Sequence, residues 1–130
     1  SALIADASVW IAYFNGKACQ ETDRLDVALT HRIGPLLLAP IALEVLSGFR
    51  NDFEHRSARN LFHRLPTLPI SDDTYFQAAN LYRHLRKKGV TPGGPMDCLI
   101  AQACVEHHTP LLTLDDDFRH IARHCSLRLL

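Results

Sequence analysis

Short apolar runs, each ended or opened by an acid, alternate along this chain with segments of helical periodicity. Leu3-Ile4-Ala5 stops at Asp6, Ile41-Ala42-Leu43 at Glu44, and Leu111-Leu112-Thr113-Leu114 at Asp115-Asp116-Asp117, while Asp97 precedes Cys98-Leu99-Ile100-Ala101. A carboxylate beside a core segment is costly to desolvate unless a charge or hydrogen bonds answer it. Acids gathered from distant parts of one chain are most simply neutralised by a divalent cation. A metal-dependent enzyme is therefore the first expectation.

Periodicity and punctuation give the order of elements. Residues 3–5 read as a buried strand ending at Asp6. Ser8 is placed to cap a helix that starts near Val9 and stops at Asn15-Gly16. Residues 21–31 form an amphipathic helix, and 36–38 a second strand after Gly34-Pro35. Pro40 opens a helix carrying Glu44. Gly48 weakens that helix without having to end it, and helix continues over 53–65. Residues 68–70 are a third short strand, and Ser71 begins a helix to about Lys88. Residues 89–95 hold three glycines and two prolines and form a loop. Asp97 then opens a helix to His107, residues 110–113 form a fourth strand, 118–124 a last helix and 127–130 a terminal strand.

This alternation predicts one α/β domain over residues 1–130, with a central, mostly parallel sheet of about four to five strands and helices on both faces. Sites in such sheets lie beyond the carboxyl ends of the strands. Asp6, Glu44, Asp97 and Asp115 should converge there.

A length of 130 residues suits one domain, and 47% hydrophobic residues suit a globular one. The apolar runs are too short to span a membrane. Cys19, Cys98, Cys104 and Cys125 are irregularly spaced, and no basic leader precedes a long apolar stretch. They read as reduced thiols, and the cytoplasm is the expected location. With 14 basic and 14 acidic side chains, bulk charge does not announce a nucleic-acid binder. Its distribution says more. Arg83, His84, Arg86, Lys87 and Lys88 cluster before Gly89, and Arg50, Arg56, Arg59 and Arg64 form a second basic stretch. Taken singly, each reads as part of a solvated face. An acidic centre between basic arms is nonetheless what a metal-using phosphodiesterase needs.

Oxygen-only donors suit Mg²⁺ or Mn²⁺. Such an ion activates water and stabilises charge on a phosphoryl oxygen, which fits phosphodiester hydrolysis. No nucleophile elbow or phosphate-binding P-loop competes. Each acid also has a plainer role. Asp6 could begin the Ser8 turn, Asp97 could answer a helix dipole, and Asp115 to Asp117 could cap the last helix. Glu44, flanked by Ile41, Leu43, Val45 and Leu46, is hardest to explain without a site. His120, His124 and Cys125 are a zinc alternative set against a solvated helix face. Trp10, Tyr13 and Phe14 read as core or dimer interface rather than base-stacking platforms. Arg86 could contact RNA phosphate, with a plain surface role standing beside it.

Four segments together carry a resemblance. They are Leu-Ile-Ala-Asp-Ala-Ser-Val-Trp-Ile-Ala-Tyr-Phe, Leu-Ala-Pro-Ile-Ala-Leu-Glu-Val-Leu-Ser-Gly, Met-Asp-Cys-Leu-Ile-Ala-Gln-Ala and Pro-Leu-Leu-Thr-Leu-Asp-Asp-Asp-Phe. In this order they resemble a PIN domain, especially VapC-type toxins of bacterial toxin–antitoxin pairs. The resemblance covers nearly the whole chain. It implies a metal-dependent endoribonuclease, usually dimeric, inhibited by a small antitoxin protein. Asp6, Glu44 and Asp97 match the family's first three acids. The last motif spans Thr113, Asp115, Asp117 and Phe118, with Asp116 between the two matching acids. Asp115, first after the strand, is preferred beside Asp6 and Asp97 as a metal ligand. Asp117 shares that task or orients the helix. Ser8 matches a hydroxyl near the first acid, and Thr113 one that holds a carboxylate. Two alternatives stand beside RNA cleavage: a DNA-directed or housekeeping nuclease of the same acid-cluster type, and a non-catalytic protein whose acidic pocket receives a partner's basic residue.

Overall fold

Two parallel strands, β1 (Ile4–Ala5) and β2 (Leu111–Leu112), pair Ile4 with Leu111 and Ala5 with Leu112. The computed structural model describes residues 2–31 and 34–130. Among the described residues, seven helices accompany the strands: α1 (Ala7–Phe14), α2 (Gln20–Thr30), α3 (Ala39–Ser47), α4 (Asp52–His63), α5 (Asp72–Lys87), α6 (Pro95–Glu106) and α7 (Asp117–Ala122). No helix among the described residues is long and apolar enough to cross a membrane.

The expected sheet of four to five strands is smaller here. Among the described residues, only β1 and β2 form a ladder. The expected strands at 36–38 and 127–130 contribute single parallel bridges, Leu36 to Ile4, Leu37 to Thr67 and Leu129 to Leu111, while the expected strand at 68–70 forms none, its bridge falling on Thr67. Proline explains part of this. Pro35, Pro66, Pro69 and Pro110 flank the short runs and lack the N–H that a longer ladder would use.

With the bridges, the lateral order runs residue 129, β2, β1, residues 36–37, residue 67. The chain moves outward from β1 on one side and from β2 on the other. A crevice opens beyond the carboxyl ends of strands at such a reversal. Asp6 directly follows β1, and Thr113 directly follows β2.

The core forms around this pair. Ile4, Ala5 and Leu111 are fully buried and Leu112 nearly so. Helix α6 buries Cys98, Leu99, Ile100, Ala101, Ala103 and Cys104, so it is enclosed on most sides. Trp10 is fully buried and packs on Phe62 and Phe14, with ring centroids 5.0 and 5.7 Å apart. It belongs to the core.

Two helix ends differ from expectation. Asp6, not Ser8, is the N-cap of α1, its side chain accepting from the Val9 N–H. Gly48 ends α3, and Asn51 starts α4 by accepting from the Glu54 N–H at 2.9 Å. Asn is among the strongest N-caps, so the expected continuous helix divides there.

Helix α5 opens at Ser71, whose hydroxyl accepts from the Thr74 N–H. Buried Thr74 donates its hydroxyl to Glu106 Oε1 at 2.6 Å, tying the start of α5 to the end of α6. This bond, with a second from Gln102, lowers the Glu106 carboxyl below its ordinary value. A lowered carboxyl stabilises the fold above its unfolded pKa and loses that contribution as pH falls through the folded one. Thr74→Val should therefore cost about 1 kcal/mol at neutral pH, the low end for a bond to an exposed charge. The loss should shrink in acid. Urea denaturation at pH 7 and pH 3 checks this, and equal losses would remove the charged bond from the account.

Candidate active site

Asp6 is buried, with 4% of its surface exposed, yet no cation pairs with it among the described residues. Hydrogen bonds answer its charge instead. Oδ1 accepts from the Ser8 hydroxyl at 2.5 Å and the Val9 N–H at 3.3 Å, and Oδ2 accepts from the Thr113 hydroxyl at 2.6 Å. Burial still holds the carboxyl above its ordinary value. The Ser8, Thr113 and Val9 bonds pull it down, and the Asp115 charge pushes it up.

The two hydroxyls also accept. Ser8 Oγ takes the Leu114 N–H and Thr113 Oγ1 takes the Asp115 N–H, each at 2.9 Å. One buried carboxylate thus holds the segment after β2 through two relays. Beyond them, Asp115 Oδ1 accepts from the Asp117 N–H at 2.9 Å. Asp117 Oδ2 accepts from the Gly93 N–H at 3.2 Å.

These bonds place Asp115 and Asp117, and Asp97 meets them from α6. Asp97, in the first turn of α6, Asp115 and Asp117 each offer a carboxylate oxygen, all within 4.8 Å of one another. The expected metal set was Asp6, Asp97 and Asp115. The close group holds Asp97 and Asp115 of that set together with Asp117, and Asp6 accepts hydrogen bonds at both its oxygens. Burial, then the charges of Asp115, Asp117, Glu44 and Asp6, push the Asp97 carboxyl up to about 6. Hard oxygen donors without a counter-charge suit a small divalent cation.

Glu44 bears on Asp97 through its charge but lies outside the close group. The expected pressure of apolar neighbours on it is absent. Ile41 and Val45 turn inward, whereas Leu43 and Glu44 are exposed. Asp116 points to solvent and pairs with Arg119 at 3.5 Å. Arg86 is exposed, its guanidinium 5.3 Å from the centre of the Tyr82 ring. His120, His124 and Cys125 do not form a ligand group among the described residues.

Gly93 escaped the sequence reading. A Cβ there would lie 3.3 Å from Asp117 Oδ2 and 3.8 Å from Asp97 Oδ2. The available signal is Gly93-Gly94-Pro95 just ahead of Asp97, since glycine permits close backbone approach.

Residues 3–124 match the PIN domain family. Ribonuclease VapC11 of Mycobacterium tuberculosis and a VapC ribonuclease of Mycobacterium bovis are each 35% identical to the chain, over 97% of it and 96% of their own length. The chain belongs to the PIN-domain family, in its VapC group. Solved structures share the PIN fold. VapBC2 from Rickettsia felis, bound to a DNA fragment from their promoter, aligns with a TM-score of 0.77 at 18% identity, covering 100% of this chain and 98% of the matched one. VapBC-1 from nontypeable Haemophilus influenzae aligns at 0.75 and 18%, covering 100% and 97%.

Two outcomes follow for the acids of this PIN domain. Asp97 has a raised carboxyl, so its ionisation destabilises the metal-free fold as pH rises from about 4 to about 6. Asp97→Asn should stabilise the metal-free protein at pH 7.5 by about 1 kcal/mol, a figure discounted for screening at this part-exposed site. That gain should vanish near pH 4, which thermal melts in chelator would show. Gly93→Ala should displace Asp117 by a few tenths of an ångström and lower activity while leaving the melting temperature nearly unchanged. Full activity in that variant would mean that the Gly93 contact does not position Asp117.

Proposed function

We propose that this chain is a metal-dependent endoribonuclease acting as the toxin of a toxin–antitoxin pair. The carrying observation is the three-carboxylate group at the strand reversal, in a chain 35% identical over nearly its full length to VapC ribonucleases. Mg²⁺ is the cation we assign, with Mn²⁺ able to replace it. Bound there, the ion supplies an activated water and stabilises charge on the phosphate. Asp97, Asp115 and Asp117 would hold it. Asp6 would set their positions through Ser8 and Thr113 and add charge behind them, and Glu44 would act from the rim.

The 1–130 chain is proposed to work as one nuclease domain, as a homodimer, in the cytoplasm. Four solved neighbours are VapBC assemblies by name. By analogy, a cognate antitoxin would neutralise this chain. An Arg of that partner could replace the metal's charge among the carboxylates, its planar fork matching theirs. An apolar segment of that partner would lie beside α1 and α3, the helices carrying Trp10 and Val45. Those two side chains are buried, and the large apolar side chains exposed on the same helices are Ile11 and Leu43. They are the surface such a segment would cover.

Purified protein incubated with labelled RNA or DNA, in Mg²⁺ or chelator, tests the activity. RNA cleavage that depends on Mg²⁺ is expected. Asp115→Asn and Asp117→Asn should each lower kcat by about 100-fold or more, whereas Asp116→Asn should stay within about twofold. Cleavage of DNA alone would make this a DNA-directed nuclease. Binding of a basic partner without any cleavage would favour the non-catalytic reading.

A further inference from the structure

A cavity of about 310 Å³ opens beside the acids, lined by Gly89, Val90, Thr91, Pro92, Asp117 and His120. Asp117 belongs to both the cavity and the three-carboxylate group. The Gly93 N–H bond to Asp117 pins the cavity's loop wall to the acids. On the ribonuclease reading above, a phosphate held at the acids would put its neighbouring nucleoside at this opening. We propose that the cavity seats one nucleotide of single-stranded RNA, against His120, and that the cationic end of α5 tracks the phosphates leading to it.

Size selects the strand. The volume suits a single nucleotide, and a base can enter only if it is unstacked, as in single strands and loops. The lining offers a His ring for stacking, the Thr91 hydroxyl, and the backbone of a glycine-bearing loop.

Charge selects the direction of approach. Arg83, Arg86, Lys87 and Lys88 fall within the last residues before Gly89, which itself lines the cavity. None of the four pairs with an acid among the described residues. Asp72 and Asp73 sit at the opposite end of α5, roughly 20 Å away at 1.5 Å per residue. The His84 and His124 rings meet with centroids 6.1 Å apart, joining the end of α5 to the turn that follows α7. The cationic turn and both cavity walls therefore belong to one face. The basic stretch on α4 contributes no residue to the cavity lining among the described residues and serves as the comparison.

Binding of labelled single-stranded RNA of roughly 12 nucleotides, as oligo(A), oligo(C) and oligo(U), tests this in Ca²⁺ over a range of salt. Lys87→Ala/Lys88→Ala should weaken binding about tenfold and flatten the log–log salt slope by about 0.7 per lost phosphate contact. Arg56→Ala/Arg59→Ala should change affinity less than about twofold. The wild-type chain should prefer one homopolymer by about fivefold, and His120→Ala should bring the three within about twofold. His120 is exposed, so the melting temperature should not move. A larger loss from the α4 pair, or a preference unchanged by His120→Ala, overturns the proposal. Cleavage in Mg²⁺ is scored separately. RNA bound through α5 but left uncut sinks the nuclease reading and keeps this seat. RNA cut with no dependence on Lys87, Lys88 or His120 sinks the seat and keeps the nuclease.

Discussion

A buried carboxylate with no partner cation among the described residues organises this protein. Asp6 loses water on folding and regains three donors, from Ser8, Val9 and Thr113. Each donor does more than satisfy it. Val9 places Asp6 as the cap of α1, and the two hydroxyls take up backbone N–H groups beyond β2. Such charge-assisted bonds are stronger than neutral ones, and buried networks rigidify when every member is satisfied. The arrangement exists only because β1 and β2 lie side by side, which puts residues 6 and 113 at the same edge. Site geometry and strand pairing are thus one fact seen at two scales.

Much of this was legible in the residues. Helix positions followed from apolar spacing and from Ser71, Pro40 and the glycine loop. The acids at the strand reversal were visible because each interrupts or adjoins a core run. The misreadings share a cause, which is that non-local pairing decides them. Runs of two or three residues next to prolines cannot reveal whether a ladder or a single bridge forms. The role of Ser8 as relay rather than cap depends on Leu114, 106 residues away. The bond to Oδ2 of Asp6 likewise comes from Thr113, 107 positions on. Glu44 looked pressed by its neighbours in sequence, but on a helix residues four apart share a face, so Ile41 and Val45 turn inward while Glu44 is exposed.

Fold alone would not have decided the activity, since one architecture hosts many chemistries. The solved neighbours at 18% identity share the architecture, whereas the relatives at 35% carry the family into the reading of this chain. What the fold contributes is position. It delivers Asp97 from a helix enclosed in the core, Asp115 and Asp117 from a segment held by Asp6, and Gly93 from the loop between. Three independent supports fix one group of carboxylates, and such pre-organisation spares the site from reorganising when charge develops.

The same group is also a store of repulsion. Asp97 is pushed up to about 6 because its surroundings are partly dry and its neighbours are acids. The metal-free fold bears that cost, and anything positive that enters relieves it. In the proposed toxin reading, two cations can do so: the metal that allows hydrolysis and a basic side chain of the antitoxin. Both would use the same carboxylate oxygens, so binding of one must weaken the other by an equal factor. Inhibition would then need no conformational change in the nuclease. It would follow from competition for a charge deficit built into the fold, with the apolar contact at Ile11 and Leu43 supplying the affinity that a desolvated ion pair does not.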